Sequence, residues 1–390
     1  MVGRSVKSVD YAIPLHRTPF DQDDAGSLVG ALSRGQLTGD GPGTERLAIE
    51  ARRVLGCRWA FATPSGTHAL ELMMRALPLE PGDEVICPSF TFVSAANAII
   101  LAGGRPVFAD VDPDTLNLDP DDAAARITPR TRAILTGHYA GIGFGLDGLA
   151  ALATAHQIAV LEDAAHALGG RFNGRWLGTL GRAGAFSFHG TKNVTAGEGG
   201  MLVTDDPELA ARAEIIREKG TDRSRFIRGE VDRYTWQAVG SSYLMSDLLA
   251  VLVLSQWRRL DAITAARGVR FDTYQASFAS LAEAGFVTRP FVPAACKPAY
   301  HIYYLLTDTA ESRNELASFL SQRGIQASSH YVPLHLSPFA RRTLQTRPGM
   351  FPVTEQVADR LLRLPLYPDL MPSEQQSVID AVYEFFGRRS

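Results

Sequence analysis

EVICPSFTFVSAANAIILAGGRPVFADV, residues 84–111, compresses the fold into one repeating unit. Residues 84–87 form a short apolar run with β-branched side chains, and 92–102 place apolar residues at helical spacing. Gly103-Gly104 then breaks the pattern before a second apolar run at 106–111. Strand, helix, strand is the order of a crossover unit. The same alternation extends on both sides. Further apolar runs lie at 132–136, 158–162, 184–188 and 200–204, and helical patterns at 67–77 and 146–156. Strands this continuously apolar are buried on both faces, so the expectation is an α/β fold of three layers around a mostly parallel central sheet. Ligands of such sheets collect at the strand carboxyl ends.

Beyond residue 205 the pattern turns helical: a charged helix at 207–219, a polar loop at 221–233 and a long apolar helix from Tyr243 to about residue 265. Helices near 267–284, 312–323 and 373–386 then mix with strands at 302–307 and 325–328, which reads as a smaller C-terminal α/β domain. The expected division is an N-terminal segment 1–20, a large domain 21–265 and a small domain 266–390.

Composition narrows the function. The 390 residues are 45% hydrophobic, enough for one large core and a second smaller one. The 39 basic and 42 acidic residues are well mixed, with no basic tract to follow a phosphate backbone, which argues against nucleic acid. Cys57, Cys87 and Cys296 are odd in number and scattered, suiting neither a disulfide framework nor a zinc site. A reducing cytoplasm and no metal are expected. The first residues lack a signal-peptide apolar stretch, and the most apolar segment, 248–254, is too short to cross a bilayer, so no membrane partner is expected.

Basic residues are nearly all arginine; the lysines are Lys7, Lys192, Lys219 and Lys297. Any chemistry that needs a lysine Schiff base must choose among these four, because arginine stays protonated. Lys192 follows the run 184–188 and precedes the flexible Ala196-Gly197-Glu198-Gly199-Gly200, so it stands in a loop at a strand end where it can meet a carbonyl. A solvated surface lysine is the plain alternative. Asp163 ends the run 158–162 at the same sheet edge, where a carboxylate can keep a pyridine nitrogen protonated, as pyridoxal phosphate requires; alternatively it caps the next helix. His166, one turn on, is either a neighbour of that cofactor or a buried polar residue. Pro64-Ser65-Gly66-Thr67 opens a helix, and free N–H groups there suit a phosphate, although an ordinary N-cap looks the same. Phe92, in an aromatic-rich turn, is either a ring that stacks on the cofactor or a core aromatic.

These stretches, with Gly39-Asp40-Gly41-Pro42, residues 82–86, His138-Tyr139-Ala140-Gly141 and residues 330–335, resemble the DegT-type sugar-nucleotide aminotransferases. That family belongs to the aspartate-aminotransferase superfamily of fold-type I pyridoxal-phosphate enzymes, and the similarity runs nearly end to end. The resemblance implies that Lys192 carries the cofactor as a Schiff base and Asp163 pairs with its ring nitrogen. It further implies that the Ser65–Thr67 turn, through Ser65, Gly66 and Thr67, and Ser187 hold the phosphate, that Phe92 stacks on the ring, and that His166 lies beside it. The cofactor would alternate with pyridoxamine phosphate in ping-pong kinetics, in a homodimer with shared sites. The family's phosphate-binding Asn from the partner is absent; Ser242 in Gly240-Ser241-Ser242-Tyr243-Leu244-Met245 is the nearest substitute. That segment, with Thr191-Lys192-Asn193 and Glu218-Lys219-Gly220-Thr221, is similar to the dTDP-4-amino-4,6-dideoxygalactose transaminases, which use L-glutamate to aminate C4 of dTDP-4-keto-6-deoxyglucose. Tyr331 and His335 are then expected at the sugar-nucleotide pocket.

Other readings compete. The pattern Gly143-Phe144-Gly145-Leu146-Asp147-Gly148 matches the dinucleotide-binding glycines of a nicotinamide dehydrogenase, yet residues 137–142 separate it from the preceding run, where the fingerprint needs a tight turn. A sugar dehydratase of the same fold carries histidine at the Schiff-base position, which Lys192 disfavours. Transfer to a ketone at another sugar carbon or on another nucleotide stays open.

Overall fold

The computed structural model describes residues 11–35 and 37–388. Lys7 and the first half of the expected N-terminal segment lie outside the described residues. The central sheet has seven strands: β1 (Trp59–Thr63), β2 (Glu84–Pro88), β3 (Arg105–Ala109), β4 (Thr131–Gly137), β5 (Ala159–Asp163), β6 (Ala183–Ser187) and β7 (Gly200–Thr204). Their order across the sheet is β1-β7-β6-β5-β4-β2-β3. Only β7 runs against the others, pairing antiparallel with both β1 and β6. The sheet is therefore mostly parallel, as the alternation of runs implied.

Side-chain alternation along the strands builds the two outer layers. Ala133 and Leu135 of β4 join the core beneath α1 (Gly66–Ala76) and α2 (Val93–Leu101). Ile134 points the other way, into a core that holds Leu149 of α3 (Leu146–His156). Strand β1 went unread in the sequence because WAFAT is short and only its last two residues are fully buried.

A second, antiparallel sheet belongs to the C-terminal part: β8 (Val287–Thr288), β9 (Tyr303–Thr307) and β10 (Leu361–Leu364). The strand expected at 325–328 is reduced to isolated bridges, Ile325 to Ile13 and Ser328 to Arg363. Residues 13–15 are thereby strapped to the C-terminal part: Ile13 N donates to Gly324 O at 3.0 Å, and Leu15 N to Gln326 Oε1 at 2.8 Å.

The long apolar helix expected over 243–265 is two helices, α4 (Asp247–Trp257) and α5 (Leu260–Ser277), because Arg258 and Arg259 interrupt the apolar run. The expected domain boundary at 265/266 falls inside α5. Leu260 and Ile263 belong to the large core, whereas Phe271, Tyr274 and Phe278 belong to the C-terminal core, so one helix serves both. At the start of α4, Asp247 accepts from Gly43 N, Thr44 N and Thr44 Oγ1 at 2.7–2.8 Å. A side chain at Gly41 would strike that carboxylate at 2.5 Å, one at Gly43 would strike Val251 at 2.7 Å, and one at Gly39 would strike Leu244 at 2.6 Å, which accounts for the glycines of the 39–43 segment. Among the described residues no helix is long and apolar enough to cross a membrane.

Candidate active site

The carboxyl ends of β4, β5 and β6 open into a cavity of about 610 Å³. Its far wall comes from residues 301–302, 330–331 and 363–366 and from Leu15 and His16. Asp163 ends β5 and Ser187 ends β6, side by side on parallel neighbours. Lys192 reaches the cavity from a loop pinned at several points. Its own N–H donates to His189 O at 2.8 Å, Gly190 N to Gly197 O at 2.9 Å, and Asn193 Nδ2 to Ala299 O at 2.7 Å. Among the described residues no hydrogen bond or ion pair engages Lys192 Nζ. Lys219 is exposed and paired with Glu218 at 3.2 Å, and Lys297 is exposed, so neither competes for the role.

Burial and the positive charge of Arg363 push the Lys192 amine down to about 8, against the pull of Asp163. An amine of that acidity is substantially neutral near physiological pH, which is the nucleophilic form. Asp163 itself is raised by burial, because a single backbone donor, Ala165 N at 3.1 Å, and the charge of Lys192 offset only part of its desolvation. Its immediate neighbour Glu162 faces the other way and is held low: it accepts from Gly178 N, Leu180 N, Gly181 N and His138 Nε2 at 2.6–2.7 Å.

The Ser65 turn packs tightly between β6 and β7. A Cβ at Gly66 would sit 2.6 Å from Ser187 Cβ, and one at Gly200 would sit 2.3 Å from Ser65 O. Ser65 Oγ caps α1 by accepting from His68 N at 3.1 Å, and Thr67 Oγ1 meets Ser94 Oγ at 2.7 Å. The N–H groups of Gly66 and Thr67 are thereby left at the helix start without an intrahelical acceptor, facing the site with the helix dipole behind them. The turn is an N-cap, and Ser65, Gly66 and Thr67 line the cavity at the helix start.

Histidines form the ceiling. His166 lies 4.3 Å from His301, ring to ring, and stacks on His330 and Tyr331; its Nε2 is 3.4 Å from the Tyr331 hydroxyl. Burial and the surrounding cations keep His166 and His301 far below ordinary histidine, and His330 is pushed down to about 2 for the same reasons. All three are neutral hydrogen-bonding rings at any working pH. Phe92, 55% exposed, lines the cavity at the N-cap of α2 beside Tyr331.

One expected residue is elsewhere. His335 does not line the cavity: it is wholly buried, with Nδ1 at 2.7 Å from Ser89 Oγ and Nε2 at 2.9 Å from Glu355, and so clamps the C-terminal part to the end of β2. A histidine beside proline gave no sign of which way it turned. Ser242 is exposed and bridges Glu218, outside the cavity of its own chain. The Gly143 and Gly145 pattern is packing: side chains there would strike Leu177 and Pro120 at 2.6 Å, and Gly145 caps α3 with φ of 67°. Conversely, His301, Arg267 and Arg363 line the cavity without having been singled out. Arg363 alone left a trace in the sequence, as a charge inside the apolar run Leu361–Leu364.

A lysine without a partner, a carboxylate poorly served by donors and a free helix N-terminus, all facing one cavity, define a pyridoxal-phosphate site of the aminotransferase class. Residues 20–383 match the DegT/DnrJ/EryC1/StrS aminotransferase family, to which the chain belongs. The chain is 36% identical to the spore coat polysaccharide biosynthesis protein SpsC of Bacillus subtilis (strain 168), covering 98% of each. Among solved structures it is similar to DesV of S. venezuelae in complex with a ketimine intermediate, with 32% identity, TM-score 0.88 and 96% and 98% of the two chains covered. It is similar as well to the sugar aminotransferase Spr1654 of Streptococcus pneumoniae in its PLP-form, with 26% identity, TM-score 0.88 and 97% and 99% covered. It is a pyridoxal-phosphate-dependent sugar aminotransferase.

Proposed function

We propose that this enzyme moves the amino group of L-glutamate to the C4 ketone of dTDP-4-keto-6-deoxyglucose, giving a dTDP-4-amino-4,6-dideoxyhexose of galacto configuration. The observation that carries the transaminase chemistry is the Lys192 amine, free of partners and lowered to about 8, in one cavity with Asp163. The substrate reading rests on the likeness of 240–247, 191–193 and 218–221 to the dTDP-4-amino-4,6-dideoxygalactose transaminases. Its relative in spore coat polysaccharide biosynthesis agrees with a product destined for a surface glycan.

When bound, pyridoxal phosphate supplies the carbonyl that captures amines and a ring that takes up electrons. Lys192 would hold that group, and its Nζ, set beside the substrate carbon, would take a proton from it and give it back as general base and then general acid. Asp163 would accept a hydrogen bond from the ring nitrogen, which its raised proton affinity and lone backbone donor favour. The N–H groups of Gly66 and Thr67, with Ser65 and Ser187, hold the phosphate. His166 and Tyr331 would form a neutral roof that excludes water, and Phe92 would cover one face of the ring.

Two such sites are expected in a homodimer. Tyr234, Trp236 and Val239 lie 51%, 78% and 73% exposed on the 221–240 segment, an apolar surface suited to a second copy that would bring Ser242 to the partner's phosphate. Three free, buried cysteines suit a cytoplasmic setting, where nucleotide sugars and glutamate are at hand.

Mass spectrometry of the product from dTDP-4-keto-6-deoxyglucose plus L-glutamate tests the substrate. A product heavier by about one mass unit, the ketone oxygen having given way to one H and one NH₂ at C4, and carrying an axial C4 amine by NMR couplings is expected; unchanged sugar, or an equatorial amine, rejects the reading.

A further inference from the structure

Ser65 is the N-cap of α1, and His68 stands three residues on, in the first turn. A capping box places Glu or Gln at that position to reach back to the cap. A carboxylate there would stand close to an incoming phosphate and repel it. His68 instead turns its ring onto the cap: Nδ1 lies 3.0 Å from Ser65 Oγ, while His68 N donates to the same oxygen at 3.1 Å. Tyr243 packs against the imidazole, with ring centroids 5.4 Å apart and planes at 54°. The Tyr243 hydroxyl is itself engaged by Glu71 and Arg75, both at 3.1 Å, and does not reach for the imidazole. His68 is half-buried, and among the described residues no hydrogen bond engages its Nε2. Only Ser65 therefore bears on which nitrogen of the ring carries the proton.

A serine hydroxyl has one proton and two lone pairs. One lone pair of Ser65 Oγ takes the His68 N–H. The contact to Nδ1 then has two states. With the imidazole proton on Nε2, Ser65 donates to the bare Nδ1 and its only proton is spent. With a proton on Nδ1, the ring donates to the second lone pair, and the Ser65 O–H is free for an anion at the helix start. A hydroxyl turned to the anion while Nδ1 stays bare would set two lone pairs against each other at 3.0 Å, so a bound phosphate is compatible with the second state. The neighbouring hydroxyls have no such control: Thr67 Oγ1 meets Ser94 Oγ at 2.7 Å, and Ser187 Oγ accepts from His189 N at 3.3 Å.

We propose that His68 is a positioning residue for the cofactor's phosphate: as an Nδ1–H donor it fills Ser65 Oγ and commits the Ser65 hydroxyl proton to the phosphate ester. This rests on the reading of the Ser65 turn as the phosphate cradle and deepens it, since the cradle has a resting state, with Ser65 closed onto His68, and a loaded one. Ester binding selects the Nδ1–H form of His68; pyridoxal, which lacks the phosphate, does not.

The test titrates the apo protein with pyridoxal phosphate and with pyridoxal, by absorbance, and takes the ratio of the two dissociation constants, which cancels losses common to both. In His68→Phe, which keeps a ring against Tyr243, the preference for the phosphorylated form falls about 10-fold or more. His68→Asn, whose amide donates from nearly the same place, recovers part of it. Ser65→Ala lowers the preference too, and His68→Phe added to Ser65→Ala lowers it no further, because the two act as a unit. In ¹⁵N spectra of the wild type, the Nδ1 resonance that is absent from His68→Phe moves from the bare to the protonated range with pyridoxal phosphate and stays put with pyridoxal. An unchanged preference in His68→Phe, additive losses in the double variant, or an Nδ1 that stays bare in the holoenzyme overturns the proposal. A Ser65→Ala that keeps the full preference overturns the cradle reading itself, a result read without any His68 variant.

Discussion

At the carboxyl end of β5 the sheet has two faces, and each receives one carboxylate. On the inner face Glu162 meets three backbone N–H groups and His138, a full set of donors that leaves it no capacity for another ligand. On the cavity face, one residue later, Asp163 has a single backbone donor and a raised proton affinity. The inner face is finished by folding, whereas the cavity face is left incomplete. That difference marks Asp163 as the candidate working acid: Glu162 is fully buried and fully served by donors, whereas Asp163 is half-buried and opens on the cavity. The same contrast recurs among histidines: His335 is saturated by Ser89 and Glu355, while His166 has only a long contact to Tyr331.

The largest effect falls on the unfinished face. Lys192→Ala should drop turnover below detection and remove the borohydride-fixable absorbance, with the fold intact by circular dichroism; either property persisting at wild-type level would break the contrast at its centre. Asp163→Asn should lower kcat/KM by about 100-fold or more, because a neutral amide no longer favours a protonated ring. Its apo form should melt no lower than wild type. A carboxyl whose folded proton affinity is raised costs stability once the pH exceeds its unfolded value, and the amide removes that cost.

Glu162→Gln should do the reverse. The new NH₂ would face two former donors, so denaturant melts should show a loss of about 2–3 kcal/mol, with kcat per folded molecule within about 5-fold of wild type. An activity loss without a stability loss would show that Glu162 acts on the cavity after all. The smallest effect is one of pH. Capture of pyridoxal phosphate by the apo protein needs neutral Lys192, so its rate should rise with pH and level off above about 8; a rise continuing past 10 would place the amine in bulk water.

Much of this site was legible in the linear order of residues. Lys192 stood out because lysine is so scarce, and Asp163 because it closes an apolar run. Ser65–Thr67 carried the marks of a helix start. What stayed hidden has a common cause. Arg267, His301 and Arg363 approach from the C-terminal part, where only Arg363 left a local mark as a charge in an apolar run, and a side chain's direction there depends on which element packs against it. His335 shows the cost: a histidine between Pro333 and Pro338 can turn to the cavity or away, and only Ser89 and Glu355, distant in sequence on one side, decide it. The domain boundary failed similarly, since α5 is one continuous helix whose two halves are claimed by different cores.

Sequence alone determined the layered sheet, the strand ends that open on the cavity and the one lysine among the described residues that faces it, because periodicity, glycine placement and side-chain chemistry are local properties. Tertiary structure decided which acid is left wanting a partner, which histidines are clamps, and that Arg363 shares the cavity with the lysine. Those outcomes depend on counting donors, acceptors and charges around an atom in space, and residues that supply them lie up to 246 positions apart along the chain.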